Sequence, residues 1–339
     1  MKWPSLSPSL SPSLSLLPRL TLLAPCACLP VAALAQQAAP AFPAKPARMI
    51  LAYPPGGSTD VLGRMMAKAL TDTWPVPVIV ENRPGAGGNI GTTLCVRAAP
   101  DGYTMCSVSP AQSVASRLSS NAGFDSLKDF THVTLVTELP LLLLVHPSLP
   151  VKTVPDLVAL AKRRPGALSY ASSGGGSVAQ LITELLKQQA GLDIVMVTYK
   201  GTGGGQLTDQ LAGRVEMAFN LSIGVMPYVK DGRLRAIAVS TRQRLPYLPA
   251  VPTLEEAGQK GVTGSSWQGI AMPAGVPREI VNRINADMVR ALRTPEVRDR
   301  IHDMGGLVVG NSPEAFAAFW QSESDKWVKV ARAANVSLD

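Results

Sequence analysis

Glycine-rich loops with adjacent hydroxyl groups are the segments of this sequence best suited to bind a ligand. Four occur, at residues 54–60, 83–89, 172–177 and 200–205, and they hold twelve of the 29 glycines. A helix N-terminus offers unpaired backbone N–H groups and roughly half a positive charge, and glycine lets an anion approach them. The pattern therefore predicts anion binding by neutral donors. For any single loop, a tight turn that binds nothing remains the alternative reading.

The elements that must position these loops alternate between strand and helix. Each loop follows a short apolar run that predicts a strand and precedes a helical pattern; Ser58, Thr59 or Asp60 is predicted to cap the first helix. This order is typical of the α/β class, with parallel strands and ligands bound beyond their C-terminal ends. The loops predict two such sheets. Residues 133–145 and 266–272 are predicted to be extended segments that cross between two halves.

Length and composition exclude several classes of protein. The chain has 339 residues, which favours two domains, and its net charge of +8 is not concentrated in any basic run. Nucleic acid is therefore not an expected partner. His132, His146 and His302 are scattered, so no metal site is predicted. Cys95 and Cys106 could form a disulfide or serve as small core residues, and both readings stay open.

The N-terminal segment reads as an export signal. Basic residues precede the apolar stretch at residues 20–35, and Ala33-Leu34-Ala35 fits a signal peptidase site, so cleavage is predicted after Ala35. Pro25 and Pro30 interrupt this stretch, which disfavours a retained membrane anchor. Pro25 also disfavours lipidation at Cys26. The predicted protein is periplasmic.

Enzymatic readings are weaker. The segment Gly175-Gly-Ser177-Val-Ala179 departs from the nucleophile elbow at its last position, and only His302 follows it, so a serine hydrolase using Ser177 is a minor alternative. The loop at residues 85–90 lacks the third glycine of a dinucleotide fingerprint, and no phosphate-loop motif occurs. No catalytic residue and no cofactor are predicted.

Several segments, in order from about residue 43 to the C-terminus, resemble the substrate-binding proteins of tripartite tricarboxylate transporters, the Bug or TctC family. They include Tyr53-Pro-Pro-Gly-Gly-Ser-Thr-Asp60, Val80-Glu-Asn-Arg-Pro-Gly-Ala-Gly-Gly-Asn-Ile-Gly91, Tyr170-Ala-Ser-Ser-Gly-Gly-Gly-Ser177 and Trp267 through Pro273-Ala-Gly-Val-Pro277. Their shared order makes the resemblance more specific than any one loop.

The resemblance implies a two-domain, type II periplasmic-binding-protein-like α/β fold with a ligand cleft between domains joined by two crossover segments. Domain 1 is predicted at residues 36–138 and 263–339, and domain 2 at residues 139–262. The implied function is capture of a small organic carboxylate for the permease subunits of such a transporter, by a monomer. A carboxylate-sensing accessory protein for a signalling partner is the alternative.

The resemblance also implies the ligand site. Loops from the two domains are expected to grip the carboxylate, with more variable residues at its far end. The predicted ligand-binding residues are Tyr53, Pro54, Gly56, Gly57, Ser58, Thr59, Asp60, Ser109, Ser172, Ser173, Gly174, Ser177, Asn220 and Trp267. Gln180 stands where the family commonly has His, and Phe219-Asn220 where an Asp is frequent. Loss of that acid makes a ligand with an amine less attractive than a plain carboxylate.

Overall fold

The structure is a computed structural model that describes residues 42–174, 176–199 and 204–336. The predicted signal peptide and its cleavage site lie outside the described residues, as do Gly175 and residues 200–203 of the fourth glycine loop. The described chain is α/β. In that part of the chain, no helix is both long and apolar enough to cross a membrane.

The first half of the fold surrounds three parallel strands. The elements are β1 (Ala47–Leu51), α1 (Ser58–Thr73), β2 (Val78–Asn82), a short 3-10 turn (Ala86–Gly88), α2 (Asn89–Val96), β3 (Thr104–Val108) and α3 (Pro110–Leu118). β1 pairs in parallel with both β2 and β3. Cys95 and Cys106 form a buried disulfide that ties α2 to β3, which settles the question that their spacing left open.

The second half repeats this organisation after a long strand. The elements are β4 (Phe130–Val145), α4 (Val154–Arg163), β5 (Ser169–Ser172), α5 (Val178–Ala190), β6 (Val195–Thr198), α6 (Gly204–Leu211), β7 (Met217–Leu221), α7 (Ser222–Lys230) and β8 (Arg235–Val239). β5 pairs in parallel with β6 and β7.

The chain then returns to the first half. The closing elements are β9 (Ser265–Pro273), α8 (Arg278–Leu292), α9 (Pro295–Asp303), β10 (Leu307–Val308) and α10 (Pro313–Ala333). The segments Thr294-Pro-Glu and Ser312-Pro-Glu each predict an N-cap followed by an N1 proline, and Thr294 and Ser312 do cap α9 and α10 in this way. The N-cap prediction for α1 is wrong: Gly57 is the N-cap, because the helix already begins at Ser58.

The sheet is mixed and continuous, rather than two separate parallel sheets. Its strand order is β2-β1-β3-β9-β4-β7-β5-β6, with β8 and β10 also paired to β4. β4 is 16 residues long, so it pairs antiparallel with β9 along Phe130 to Pro140 and with β7 along Leu141 to Val145. β4 and β9 thus occupy the positions of the two predicted crossover segments.

This register makes the strand ends of the two halves point at each other. The last residue of β3, Val108, pairs with Gly269, which pairs with Leu135 of β4. From the opposite direction, the last residue of β7, Leu221, pairs with Leu141 of β4. Ser109 is therefore level with about Thr137, and the four residues from there to Leu141 span roughly 13 Å at 3.3 Å per residue. A cleft between the C-terminal strand ends follows from the pairing.

The core has a separate cluster in each half and a helix that joins both. α1 and α8 pack on the first half around Met49, Leu62 and Ile284, whereas α4 and α5 pack on the second around Leu157 and Ile182. α10 contributes Phe316 and Trp320 to a first-half cluster, and Trp327 and Val328 to the second-half core. The C-terminal helix therefore stabilises both halves, although the sequence assigns it to domain 1.

Candidate functional site

The first glycine loop is organised by a carboxylate beneath it. Asp60 is buried and accepts hydrogen bonds from the backbone N–H of Gly56 at 3.1 Å, from Arg64 at 3.0 Å and from Asn82 at 2.8 Å. The Arg64 hydrogen bond is the main cause that lowers the pKa of Asp60 from 3.8 to about 2, against the opposing effect of burial. Asp60 is thus an ionised support of the loop, and both of its carboxylate oxygens already accept hydrogen bonds from the protein.

The N-terminus of α1 lies next to Asp60 and has no side-chain cap, so its backbone N–H groups are available to an anion. Its N-cap, Gly57, has no side chain, and no side-chain hydrogen bond caps this 16-residue helix. Pro54, Gly56 and Gly57 are exposed, while Ser58 and Thr59 are half-buried at the first turn. Backbone N–H groups, two hydroxyls and the positive end of the helix dipole therefore share one place.

Gln268 on β9 reaches this first turn, although it is not among the residues predicted from the sequence. Its Nε2 donates to Thr59 Oγ1 at 3.0 Å and to Ser58 Oγ at 3.3 Å. Strand alternation places the side chain of Trp267 on the other face of β9. There Trp267 is fully buried against Phe316 of α10, with ring centroids 5.9 Å apart. The structure therefore does not bring Trp267 to the loops, and its neighbour occupies that position.

A second polar group follows β1 and β3. The hydroxyls of Tyr53 and Ser109 lie 3.2 Å apart. Gln112 Oε1 accepts from both the backbone N–H and the hydroxyl of Ser109, and Gln112 Nε2 donates to Tyr53 Oη at 3.3 Å. Gln112 is the third residue of the capping box that begins α3. The Ser-x-x-Gln spacing in the sequence predicts such a capping box and could have identified Gln112.

The third glycine loop follows β5, at the strand ends of the second half. The Ser172 and Ser177 hydroxyls lie 3.2 Å apart, and Ser172 Oγ accepts from the backbone N–H of Gly174. Ser177 caps α5 by accepting from the backbone N–H of Gln180, whose Oε1 accepts from Gly176 at 2.9 Å. The Gln180 side chain thus binds the backbone of the loop. Ser172 is buried and Ser173 is exposed.

Asn220 lies at the end of β7 in a chain of amides. Its Oδ1 accepts from Gln206 at 2.8 Å, and its Nδ2 donates to Gln210 at 2.9 Å. Gln210 in turn donates to the backbone carbonyl of Leu144 on β4. These bonds hold the Asn220 side chain in place beside the second-half strand ends, and its half-buried position leaves part of it accessible.

A cavity of about 640 Å³ lies apart from these loops. Glu138 and Ser265 of the crossover strands line it with Glu323 and Lys326 of α10, on the same face of β9 as Trp267. Burial raises the pKa of Glu138, while a hydrogen bond from Ser265 opposes that effect. None of the predicted ligand-binding residues lines this cavity.

The site contains neutral donors where a hydrolase would need a base. In the described part of the chain, the hydrogen bonds of Ser177 involve Ser172 and Gln180, and His302 lies on α9. Within the same residues no group of three or more His, Cys, Asp or Glu side chains could hold a metal ion. The geometry suits an acceptor-only ligand such as a carboxylate.

Comparison with known proteins identifies the family. The family model described as "Tripartite tricarboxylate transporter family receptor" matches residues 62–336. The chain is 35% identical to protein BugT of Bordetella pertussis over 299 residues, which cover 88% of this chain and 91% of that protein. The chain belongs to the tripartite tricarboxylate transporter receptor family.

Two solved structures of similar chains carry carboxylates. Rpa4515 of Rhodopseudomonas palustris with adipate is 33% identical, with a TM-score of 0.73 over 87% of this chain and 99% of that one. MatC of the same organism with bound malate is 31% identical, with a TM-score of 0.69 over 85% and 99%. This receptor therefore has the type II periplasmic-binding-protein fold that its sequence implies.

Proposed function

We propose that this receptor captures one small organic carboxylate in the cleft between its converging strand ends. The observation that carries the proposal is the register of β4, which aims β3 and β7 at each other with polar groups at their ends. One carboxylate would be held by Ser58, Thr59 and the first-turn N–H groups of α1, and by Ser172, Ser173 and Ser177 from the other side. The adipate and malate of similar structures support this ligand class.

Neutral donors suit a receptor that must release its ligand. A buried ion pair costs desolvation of two charges, whereas with neutral N–H and O–H donors the ligand carries the one charge that must be desolvated. Asp60 and Arg64 neutralise each other beside the first loop. Asn220, in place of an acid, offers no charge to a ligand ammonium, so we propose a carboxylate without a neighbouring amine as the ligand.

Ligand capture is coupled to motion in this proposal. β4 and β9 are the two connections at which the predicted domains, divided at residues 138/139 and 262/263, would rotate. A ligand favours a closed state only through contacts that the open state lacks. The two loops belong to different halves, so only the closed state lets both of them hold the same carboxylate.

The family supports the remaining parts of the proposed function. We propose that the chain is exported, loses its first 35 residues, acts as a monomer and delivers its ligand to membrane permease subunits without making or breaking a bond. Secretion with cleavage after Ala35 is tested by N-terminal sequencing of the periplasmic protein. A mature sequence that begins at a residue other than Gln36 would contradict the cleavage proposal.

A thermal-shift screen tests the ligand class. The panel is adipate, malate, citrate and benzoate, each with its uncharged amide as the matched control. A ligand at 100 times its dissociation constant adds about 2.7 kcal/mol to the free energy of unfolding, so the midpoint should rise for at least one acid and for none of the amides. No shift with any acid would contradict the proposal.

Two variants test the loop assignment by calorimetry. Ser58→Pro removes a backbone N–H and a hydroxyl at the first helical position, where proline is tolerated, and Ser177→Ala removes one hydroxyl. Each should raise the dissociation constant of the best acid about tenfold, as expected for loss of a hydrogen bond to a charged group. Unchanged affinity in both variants would overturn the assignment.

A further inference from the structure

We propose that Gln268 is a positioning residue that sets the direction in which the Ser58 and Thr59 hydroxyls donate. This inference rests on the proposed function, because it concerns how the first loop presents its donors to a carboxylate. In this proposal, strand β9 takes part in ligand recognition because Gln268 orients the hydroxyls of the first loop.

The geometry places one amide against two hydroxyls. Gln268 Nε2 donates to Thr59 Oγ1 at 3.0 Å and to Ser58 Oγ at 3.3 Å. An amide nitrogen has two hydrogens and no acceptor capacity, so both hydroxyls must act as acceptors toward it. Each hydroxyl keeps its own hydrogen, which is then free to donate elsewhere. A carboxylate only accepts, and it is the partner that these two hydrogens suit.

Gln268 is buried against the two hydroxyls. The residue is 4% exposed, and its Oε1 is buried with no hydrogen-bond partner among the described residues. Within the described residues, the side chain of Gln268 donates its hydrogen bonds to these two hydroxyls. An amide turned over would present Oε1 to Ser58 and Thr59. The two hydroxyls would then donate their hydrogens to Gln268 Oε1 and would have none to donate to a ligand.

The position of Gln268 in the sheet makes it a rigid support. Gln268 pairs with Thr137 of β4, and the next residue, Gly269, pairs with both Val108 of β3 and Leu135 of β4. Strand β9 is therefore held on both sides at this point. The same strand is one of the two proposed hinges, so Gln268 connects the hinge directly to the donors of the first loop.

A double-mutant cycle tests the inference, because an indirect role disappears when its intermediary is removed. The variants are Gln268→Met, which keeps length and volume without hydrogen bonds, Ser58→Ala with Thr59→Val, and all three together. Ser265→Ala is the matched control, since it removes a hydroxyl from β9 on the face opposite Gln268. The probe is the acid of the panel, adipate, malate, citrate or benzoate, that raises the unfolding midpoint most.

Calorimetry should show about a five- to tenfold weaker affinity for Gln268→Met and an at least tenfold weaker affinity for the Ser58/Thr59 variant. The combined variant should be within about twofold of the Ser58/Thr59 variant, and Ser265→Ala should bind like the unaltered protein. Circular dichroism verifies folding, and Gln268→Leu replaces Gln268→Met in the cycle if the latter unfolds.

Two results would overturn the inference. The first is unchanged affinity of Gln268→Met; the second is effects that multiply in the combined variant, which would mean that Gln268 acts on the ligand independently of the hydroxyls. If the unaltered protein binds no acid of the panel, the proposed function fails and this inference fails with it. Binding by the unaltered protein without coupling in the cycle overturns the inference alone.

Discussion

Asp60 and Arg64 form an ion pair one helical turn apart, in which Arg64 Nε lies 3.0 Å from both carboxylate oxygens of Asp60. The same carboxylate accepts from the Gly56 backbone and from Asn82. The first loop of the site is therefore tied to α1 and to the end of β2 by a single ionised group.

Replacement of Asp60 by Asn should destabilise the receptor. The pKa of Asp60 is lowered from 3.8 to about 2 in the folded protein, so its stabilising effect is complete above about pH 4 and is lost as the pH falls toward 2. With allowance for the half-exposed Arg64, we expect a loss of roughly 1–2 kcal/mol at pH 7. Urea unfolding of both proteins at several pH values measures it. A difference that does not shrink between pH 4 and pH 2 would contradict this role.

Gly88 and Gly87 offer a matched pair of alanine substitutions. Gly88 has φ +102, and an added Cβ would lie 2.8 Å from Gln112 Nε2 and 3.3 Å from the Tyr53 ring. Gly87 has φ +65 and nothing within 4 Å. Backbone strain should lower the free energy of unfolding of both alanine variants by about 1–2 kcal/mol.

Only Gly88→Ala should also weaken acid binding, because it displaces Gln112 from the Tyr53 and Ser109 hydroxyls. Calorimetry on the two variants separates these effects. Equal affinities for Gly87→Ala and Gly88→Ala would remove the Tyr53–Ser109 group from the proposed site.

His132 predicts a second dependence of stability on pH. Its ring packs against Phe316 and Trp320, its Nε2 is buried without a hydrogen-bond partner among the described residues, and burial lowers its pKa from 6.5 to about 4. Between about pH 6.5 and pH 4, His132 is therefore protonated in the unfolded chain and neutral in the folded chain. Stability is complete above about pH 6.5 and decreases as the pH falls toward 4, by up to about 3 kcal/mol.

Thermal or urea unfolding between pH 7 and pH 4 measures this effect, with His132→Phe as the comparison because Phe cannot be protonated. The decrease should be smaller in His132→Phe. Identical pH profiles for the two proteins would show that His132 is not the group responsible.

The Cys95–Cys106 disulfide should contribute to stability rather than to binding. It joins α2 to β3 with a sequence separation of 11, and a loop of this size corresponds to about 2–3 kcal/mol in the chain-entropy account. Reductant should lower the unfolding midpoint of the unaltered protein and leave that of the Cys95→Ser, Cys106→Ser double variant unchanged. If reductant changes the unfolding midpoint of neither protein, the disulfide does not contribute to stability as expected.

The sequence predicts the local elements well for identifiable physical reasons. Glycine loops and Ser/Thr-Pro-Glu segments mark strand ends and helix starts directly, so the predicted positions of α9, α10 and the loop at residues 172–177 agree with the structure. The N-cap of α1 was misplaced because a hydroxyl or carboxyl at residues 58–60 looks like a cap, although Asp60 instead accepts from Gly56 and Arg64.

The cleft residues were harder to predict because they depend on long-range register. Whether Trp267 or Gln268 faces the first loop is decided by one residue of strand phase, and the aromatic side chain was the more conspicuous of the two. The continuous sheet depends likewise on β4 pairing with β9 and β7 in succession, which no local pattern reveals. That the predicted ligand-binding residues contact the ligand stays a prediction.

A crystal structure of the receptor with its best acid tests the central claim most directly. We predict one carboxylate group within about 2.7–3.2 Å of donors from both the residue 54–60 loop and the residue 172–177 loop. An acid bound elsewhere, for instance in the cavity lined by Glu138 and Lys326, or held by one loop alone in a closed protein, would contradict the account.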